Sequence, residues 1–158
     1  MIHPSPLRAL PPHCRIVRDG PALTLGQRTS AKSPEAVAEL LADITLEEVE
    51  VFVVLALDTR GRVIERHDIT RGLVNSSLVH PREVFRAAIA SGASGVILAH
   101  NHPSGDPTPS PEDRAVTRQL VAAGRLLDIP VYDHIILGGP LPAVNTWSFT
   151  SFAAEGLL

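Results

Sequence analysis

The sequence predicts an α/β protein in which helices pack against a mixed β-sheet. Two unbroken apolar runs are typical of strands buried on both faces, and three helix starts alternate with these runs along the chain. That order predicts a layered α/β sandwich. With 158 residues and 44% hydrophobic side chains, the chain is long enough for one domain with a sizeable core, and its composition is globular.

The first half of the chain contains a predicted helix, a strand and a hairpin. Ser33 can cap a helix whose first position is Pro34, a residue with no amide hydrogen to leave unpaired. The apolar residues that continue this helix at regular spacing are Val37, Leu40, Leu41 and Ile44. Residues 51–57 are all apolar and rich in β-branched side chains, which predicts a strand in the centre of the sheet. A polar turn containing Gly61 leads to the alternating residues 63–67, which predicts a hairpin.

A second helix and a second buried strand follow. Pro81 begins the helix, and Gly92 is placed to end it. The residues of its predicted apolar face are Val84, Phe85, Ala88 and Ile89. Residues 95–99 then predict a buried strand, which leads into a loop rich in proline and glycine.

The last third of the chain predicts one more helix and two strands. Ser110 and Pro111 begin the helix in the same way as the first Ser-Pro pair. Its predicted core-facing residues are Val116, Leu120, Ala123 and Leu127. Residues 131–137 predict the next strand, and residues 147–152 predict a last one.

Charge and cysteine content exclude several classes of protein. Fourteen basic and seventeen acidic side chains give a net charge of −3, which argues against a strongly basic nucleic-acid-binding domain. The single cysteine, Cys14, excludes an internal disulfide and a metal site that needs two thiolates. No apolar run reaches the length of a membrane span, and prolines interrupt any signal-peptide-like stretch near the start. We therefore expect a soluble, cytoplasmic protein with no membrane partner.

Two histidines stand at the end of the second buried strand. Extended backbone would place the side chains of His100 and His102 on one side, as joint binding of a metal ion requires. Asp113 falls in the first turn of the next helix, where its carboxylate can point back toward the loop. Each feature has a simpler interpretation, because the histidines could be hydrogen-bonded surface side chains, and Ser110 with Asp113 has the form of a capping box. Capping and metal binding are compatible, so both stay open for Asp113.

Two imidazoles and one carboxylate leave the fourth position of a tetrahedral zinc ion to water, which is typical of a catalytic rather than a structural site. Amide hydrolysis also needs a carboxylate that accepts a proton and returns it to the leaving amine. Glu50, just before the first buried strand, is our candidate for this role. The alternative for Glu50 is a solvated turn residue, although Glu47 and Glu48 fit that description better.

The candidate residues resemble the JAMM motif of the JAB/MPN metallopeptidases, including a gap of ten residues between the second histidine and the aspartate. They are Glu50, His100, His102, Ser110 and Asp113. Segments around them resemble the RadC-like JAB domain over about residues 30–158. These segments are EVFVVLALD from Glu50, HPREVF from His80, LAHNHPSGDPTPSPED from Leu98, DHIILG from Asp133 and the terminal SFAAEGLL.

The resemblance implies a three-layer sandwich with a mixed β-sheet, the cytidine-deaminase-like fold of JAB/MPN proteins. It implies that His100, His102 and Asp113 bind one zinc ion per chain, with water completing the coordination. Glu50 would act as the general acid/base, and Ser110 would donate a hydrogen bond to the oxyanion of the tetrahedral intermediate. The implied reaction is hydrolysis of a peptide or isopeptide bond, in a peptide or an isopeptide-linked protein substrate.

The resemblance divides the chain into an irregular N-terminal arm, residues 1–30, and a RadC-like JAB/MPN domain, residues 31–158. Proteins named RadC usually carry a helical segment, similar to a helix-hairpin-helix, in the place where this sequence has the arm. A DNA-binding role of that segment is therefore left without support. The family name still suggests an alternative function, a DNA-repair-associated protein that binds or processes nucleic acid.

Other proteins that use similar residues differ in measurable ways. A zinc deaminase needs two cysteine ligands and is excluded by the single cysteine. A non-haem iron oxygenase would differ in metal identity and coordination number, and a non-catalytic scaffold would have no need of all five motif residues. Asp133 and His134 lie in a segment that resembles the family, and we expect a hydrogen-bonded structural pair rather than a catalytic one.

Overall fold

One five-stranded β-sheet with helices on both faces makes up the fold. The protein is represented by a computed structural model that describes residues 30–72, 79–141 and 146–158. The helices are α1 (Pro34–Leu40), a 3-10 helix (Ala42–Leu46), α2 (Pro81–Ala90) and α3 (Pro111–Leu127). The strands are β1 (Val51–Leu57), β2 (Val63–Arg71), β3 (Gly95–Asn101), β4 (Val131–Leu141) and β5 (Thr146–Ser151). Apart from Ser30, the predicted arm, residues 1–30, lies outside the described residues.

The strands lie in the order β2-β1-β3-β4-β5. β3 and β4 pair in parallel, whereas the other three neighbouring pairs are antiparallel. The sheet is therefore mixed, as predicted. β1 is an interior strand as expected, but β3 occupies the central position and has β1 on one side and β4 on the other.

Alternate residues of the buried strands face two separate hydrophobic clusters, because successive side chains of a strand point to opposite faces of the sheet. Val53 of β1 belongs to a cluster with Val37 of α1, which also includes the 3-10 helix. Val54, the next residue, belongs to a cluster with Leu120 of α3, which also includes α2. The sheet is thus covered on both sides, and the predicted three-layer α/β sandwich is confirmed.

Helices α1 and α3 begin where the two Ser-Pro pairs predict. The Ser33 hydroxyl accepts a hydrogen bond from the Ala36 amide at 3.3 Å, and the Ser110 hydroxyl accepts one from the Asp113 amide at 3.0 Å. The predicted helix included Ile44, but α1 ends at Leu40, and Ile44 is instead a buried residue of the 3-10 helix. No helix in the described part of the chain is both long enough and apolar enough to span a membrane.

Two predicted core positions on the helices are wrong. Ile89 of α2 is 58% exposed and Leu127 of α3 is 46% exposed, and both line a shallow apolar groove between the two helices. Thr117 and Gly124 take buried positions on α3. A β-carbon at Gly124 would come within 2.5 Å of the Ile129 carbonyl oxygen, so only glycine allows this close approach.

Strands β3 and β4 run further than the sequence indicates, and β5 begins and ends one residue earlier. β3 continues through His100 to Asn101, and β4 continues to Leu141. The helix α3 connects β3 to its parallel neighbour β4, as parallel strands require a crossover connection. The first turn of α3 thereby comes to lie beside the carboxyl end of β3, where the candidate site residues are found.

We predict that Leu98→Ala destabilises the fold by about 2–5 kcal/mol, because this β3 side chain is fully buried and its truncation leaves a cavity. Leu126→Ala is the matched control, since Leu126 is 89% exposed and should change stability by no more than about 0.5 kcal/mol. Urea unfolding measures both changes. Equal losses in the two variants would contradict the assignment of the core.

Candidate metal centre

Three side chains from two elements converge at the end of β3. Nε2 of His100 lies 3.0 Å from Nε2 of His102 and 3.2 Å from Oδ1 of Asp113. Nε2 of His102 lies 3.4 Å from Oδ2 of Asp113. One ligand atom from each residue lies within 4.8 Å of the others, so these residues form a cluster that could hold a metal ion.

The orientation of His102 is set by a backbone carbonyl. Its Nδ1 lies 2.7 Å from the carbonyl oxygen of Asp106 in the loop that follows β3. A carbonyl oxygen only accepts hydrogen bonds, so Nδ1 of His102 carries the proton and donates it. In the neutral ring, Nε2 then presents its lone pair toward Asp113, as metal-binding histidines do.

Asp113 is held in place by the predicted capping box with Ser110. The backbone amide and the hydroxyl of Ser110 both donate to Oδ2 of Asp113, at 2.8 Å and 2.7 Å, and the Asp113 amide donates to the Ser110 hydroxyl. The capping box is therefore confirmed, and the geometry leaves Asp113 compatible with metal binding as well. Oδ2 completes the cap, while Oδ1 faces the imidazole of His100.

The imidazoles and the carboxylate perturb one another's ionisation. Burial favours the neutral carboxyl of Asp113, but the adjacent imidazoles of His100 and His102 outweigh burial and hold the pKa of Asp113 far below its usual range. The hydrogen bond with Asp113 raises the pKa of His102, against the opposing effect of burial, and the charge of Glu50 adds to the increase. Asp113 is therefore ionised at neutral pH, and the cluster attracts a cation.

Glu50 lies on the wall of the same cleft as His102, Ser110 and Asp113. The cleft has a volume of about 600 Å³, and its wall also includes the acidic side chains of Glu48 and Glu112. Glu50 is half-buried, and its carboxylate is close enough to affect the pKa of His102. The structure thus brings all five motif residues to one region, although their catalytic roles stay predictions.

Asn101 is a site residue that the sequence analysis missed. It stands between the two histidines in the chain and is buried, and its Oδ1 accepts from the Val51 amide at 2.7 Å while its Nδ2 donates to the Val49 carbonyl at 3.0 Å. These bonds tie the residues on either side of Glu50 to the end of β3. Asparagine in a loop-like sequence carries no pattern that signals such a contact, because its partners lie about fifty residues away.

Comparison with known proteins identifies the family. The model of the RadC-like JAB domain matches residues 31–157 of the chain. The chain belongs to the RadC-like JAB domain family. The resemblance inferred from the motif residues and their flanking segments is therefore confirmed.

Relatives of this RadC-like JAB domain carry the name UPF0758 protein. The one from Syntrophomonas wolfei is 48% identical over 136 residues, covering 83% of this chain and 55% of that protein. The one from Symbiobacterium thermophilum is 46% identical over 145 residues, covering 86% of this chain and 59% of that protein. A third, from Bacillus cereus, is 49% identical over 125 residues, covering 78% of this chain and 54% of that protein. The chain spans a little over half the length of these curated relatives.

Asp133 and His134 do not pair through their side chains in this RadC-like JAB domain. The carboxylate of Asp133 accepts from the backbone amides of His134 and Ala153 and from the hydroxyl of Ser151, so it anchors the C-terminal turn. The ring of His134 points to the other face of the sheet and contacts His100. Burial, together with the neighbouring His100, lowers the pKa of His134 well below its usual value.

We predict that a metal ion bound by this cluster, tested with zinc, stabilises the RadC-like JAB domain more strongly as the pH increases. The raised pKa of His102 means that its protonated pairing with Asp113 stabilises the metal-free fold fully below the unfolded histidine pKa of about 6.5. That contribution is lost as the pH rises through the higher pKa of the folded state. A metal ion needs the neutral imidazole, so protons compete with it on the acidic side.

Thermal unfolding with zinc and with a chelator, over a pH series from about 5.5 to 8.5, measures this dependence around the histidine pKa. The shift in Tm produced by zinc should grow across the series. A shift that is constant or that shrinks with increasing pH would contradict the involvement of His102.

Proposed function

We propose that this chain is a zinc-dependent hydrolase that cleaves peptide or isopeptide bonds. The observation that carries the proposal is the cluster of His100, His102 and Asp113, whose last two members lie on the wall of the cleft that also contains Glu50. Membership of the RadC-like JAB family and the resemblance to the JAMM motif support the same chemistry. The activity, the metal and the substrate class of the whole protein are parts of this proposal.

The geometry of the cluster fits a tetrahedral zinc ion. Two donor atoms at about 2.1 Å from one ion lie about 3.4 Å apart at the tetrahedral angle. In the cluster, the two Nε2 atoms lie 3.0 Å apart, Nε2 of His100 lies 3.2 Å from Oδ1 of Asp113, and Nε2 of His102 lies 3.4 Å from the other carboxylate oxygen, Oδ2. Two imidazoles and one carboxylate also match the ligand set of catalytic zinc sites. A zinc ion bound there supplies Lewis acidity, which polarises a substrate carbonyl and lowers the pKa of water to about 7.

Glu50 and Ser110 provide the protein groups that amide hydrolysis needs. Glu50 faces the cleft with a free carboxylate that can accept a proton from the attacking water and deliver it to the leaving amine. The Ser110 hydroxyl lies at the same wall and donates to Asp113 in the described state. A rotation of this hydroxyl would allow it to donate to an oxyanion formed beside the cluster.

The charge of the cleft favours a peptide over a nucleic acid as substrate. Four carboxylates line it, from Glu48, Glu50, Glu112 and Asp113, and none of its described lining residues is lysine or arginine. Contacts to phosphate groups supply most of the affinity for nucleic acid, and they require basic side chains. A neutral or cationic peptide avoids the repulsion that phosphate groups would meet from these carboxylates.

We predict that Glu50→Gln keeps its zinc and its fold. Its rate of hydrolysis of those peptide or isopeptide library members that the wild type cleaves should fall by about 10²–10⁴-fold, because glutamine cannot accept the proton. Glu48→Gln is the matched control, since Glu48 lines the same cleft but is exposed and lies two residues away. The substrate screen includes oligonucleotides beside the peptide and isopeptide libraries, and mass spectrometry of the products tests the proposal. Equal turnover by Glu50→Gln and the wild type would exclude the assigned role, and cleavage of oligonucleotides alone would exclude the proposed substrate class.

We predict that the wild-type protein holds one zinc ion per chain and that His102→Ala loses it, because the two imidazoles and one carboxylate are the only three ligands that the cluster offers. His80→Ala is the control, since His80 is exposed and does not belong to the cluster. Elemental analysis of the dialysed proteins measures the zinc content. Retention of zinc by His102→Ala would contradict the assignment of His102 as a ligand.

A further inference from the structure

His100 contacts a buried histidine, His134, which in turn contacts a buried threonine, Thr117, and the proposed chemistry uses neither of them. Its Nδ1 lies 2.8 Å from Nε2 of His134, on the side of the ring away from His102. Nδ1 of His134 lies 2.6 Å from the hydroxyl oxygen of Thr117 on α3. His134 and Thr117 are both fully buried, so each of these bonds is isolated from water.

The direction of the hydrogen bonds follows from the hydroxyl of Thr117. Its oxygen lies 2.6 Å from the backbone carbonyl oxygen of Asp113, and a carbonyl oxygen cannot donate. The single hydroxyl proton must therefore lie between these two oxygens, because two bare oxygens would repel at this distance. Thr117 is left able only to accept from His134. Nδ1 of His134 consequently carries a proton.

The second nitrogen of His134 is then an acceptor. The ring is packed between aromatic side chains, with ring centroids 5.5 Å from Phe52 and 4.9 Å from Phe152, and a cation there would be desolvated without an anionic partner in contact. A neutral imidazole with a proton on Nδ1 presents a lone pair at Nε2. His100 must donate to that lone pair from its own Nδ1. Its Nε2 is thereby left bare and faces Asp113.

We propose that Thr117 and His134 are positioning residues that hold His100 in the tautomer able to bind a metal ion. His102 obtains the same tautomer from the backbone carbonyl of Asp106, whereas His100 depends on two side chains and can be altered by substitution. The inference rests on the proposed function in one respect only, that His100 is a metal ligand. The tautomer itself can be measured without metal and without a substrate.

Thr117→Val tests the proposal, because valine has a similar shape but cannot accept a hydrogen bond. The Nδ1–H of His134 then loses its acceptor. With its proton on Nε2 instead, His134 would donate to Nδ1 of His100 and leave no buried N–H unpaired, which places the His100 proton on Nε2. We expect zinc affinity to fall by about 10–100-fold, the usual effect of removing a group that orients a metal ligand. Thr117→Ser retains the hydroxyl and should restore both the tautomer and the affinity.

Two measurements are needed, neither of which uses enzymatic activity. Histidine ¹⁵N spectra of the zinc-free proteins report which ring nitrogen of His100 carries the proton, and competition with a chelator gives the zinc Kd. The expected result is a proton on Nδ1 in the wild type and in Thr117→Ser, and on Nε2 in Thr117→Val. A wild-type proton on Nε2, or an unchanged zinc Kd in Thr117→Val, would overturn the proposal.

The wild-type spectrum decides the assignment even if Thr117→Val does not fold. The outcomes also separate this inference from the proposed function. A protein that binds zinc with the expected tautomer but hydrolyses no amide bond would contradict the proposed activity and leave the positioning role intact. A protein that hydrolyses amides with the opposite tautomer of His100 would contradict the positioning role alone.

Discussion

The site depends on one electrostatic constraint, the close approach of three acceptor groups at the end of β3. Two imidazole nitrogens and a carboxylate are held 3.0–3.4 Å apart, a distance at which bare acceptors repel one another. A proton on Nε2 of His102 removes the repulsion between that nitrogen and one of its two neighbouring acceptors. The repulsion between the remaining acceptors is not relieved, because three groups converge. A divalent cation could bond to all three at once, which is the arrangement that the proposed metal site requires.

The topology of the sheet makes this approach possible. The parallel pair β3–β4 requires a crossover, and α3 supplies it, so that Asp113 in its first turn faces the end of β3. Asn101 ties the entry to β1, and with it Glu50, to the same strand end. The loop between β3 and α3 packs on β4 at Gly138, where a β-carbon would come within 2.5 Å of the Gly105 carbonyl oxygen. Strand, helix and loop thus each place a separate part of the site.

The sequence predicts the local features of the site well and its long-range contacts poorly. The Ser110 cap and the pair of histidines two residues apart are patterns within a few residues, where helix and strand geometry leave few alternatives. The contact between Thr117 and His134 escapes such analysis because it spans seventeen residues and depends on how α3 lies on the sheet. Burial at helix ends is also set by packing rather than by periodicity, which is why Leu127 fits a helical stripe and yet is half exposed.

The most direct test of this account is a crystal structure of the zinc-loaded protein with anomalous data collected at the zinc absorption edge. The account predicts one anomalous peak per chain, at about 2.0–2.2 Å from Nε2 of His100, Nε2 of His102 and a carboxylate oxygen of Asp113, with a further position facing the cleft. An ion bound elsewhere, or a cluster that stays free of metal in the presence of excess zinc, would contradict it.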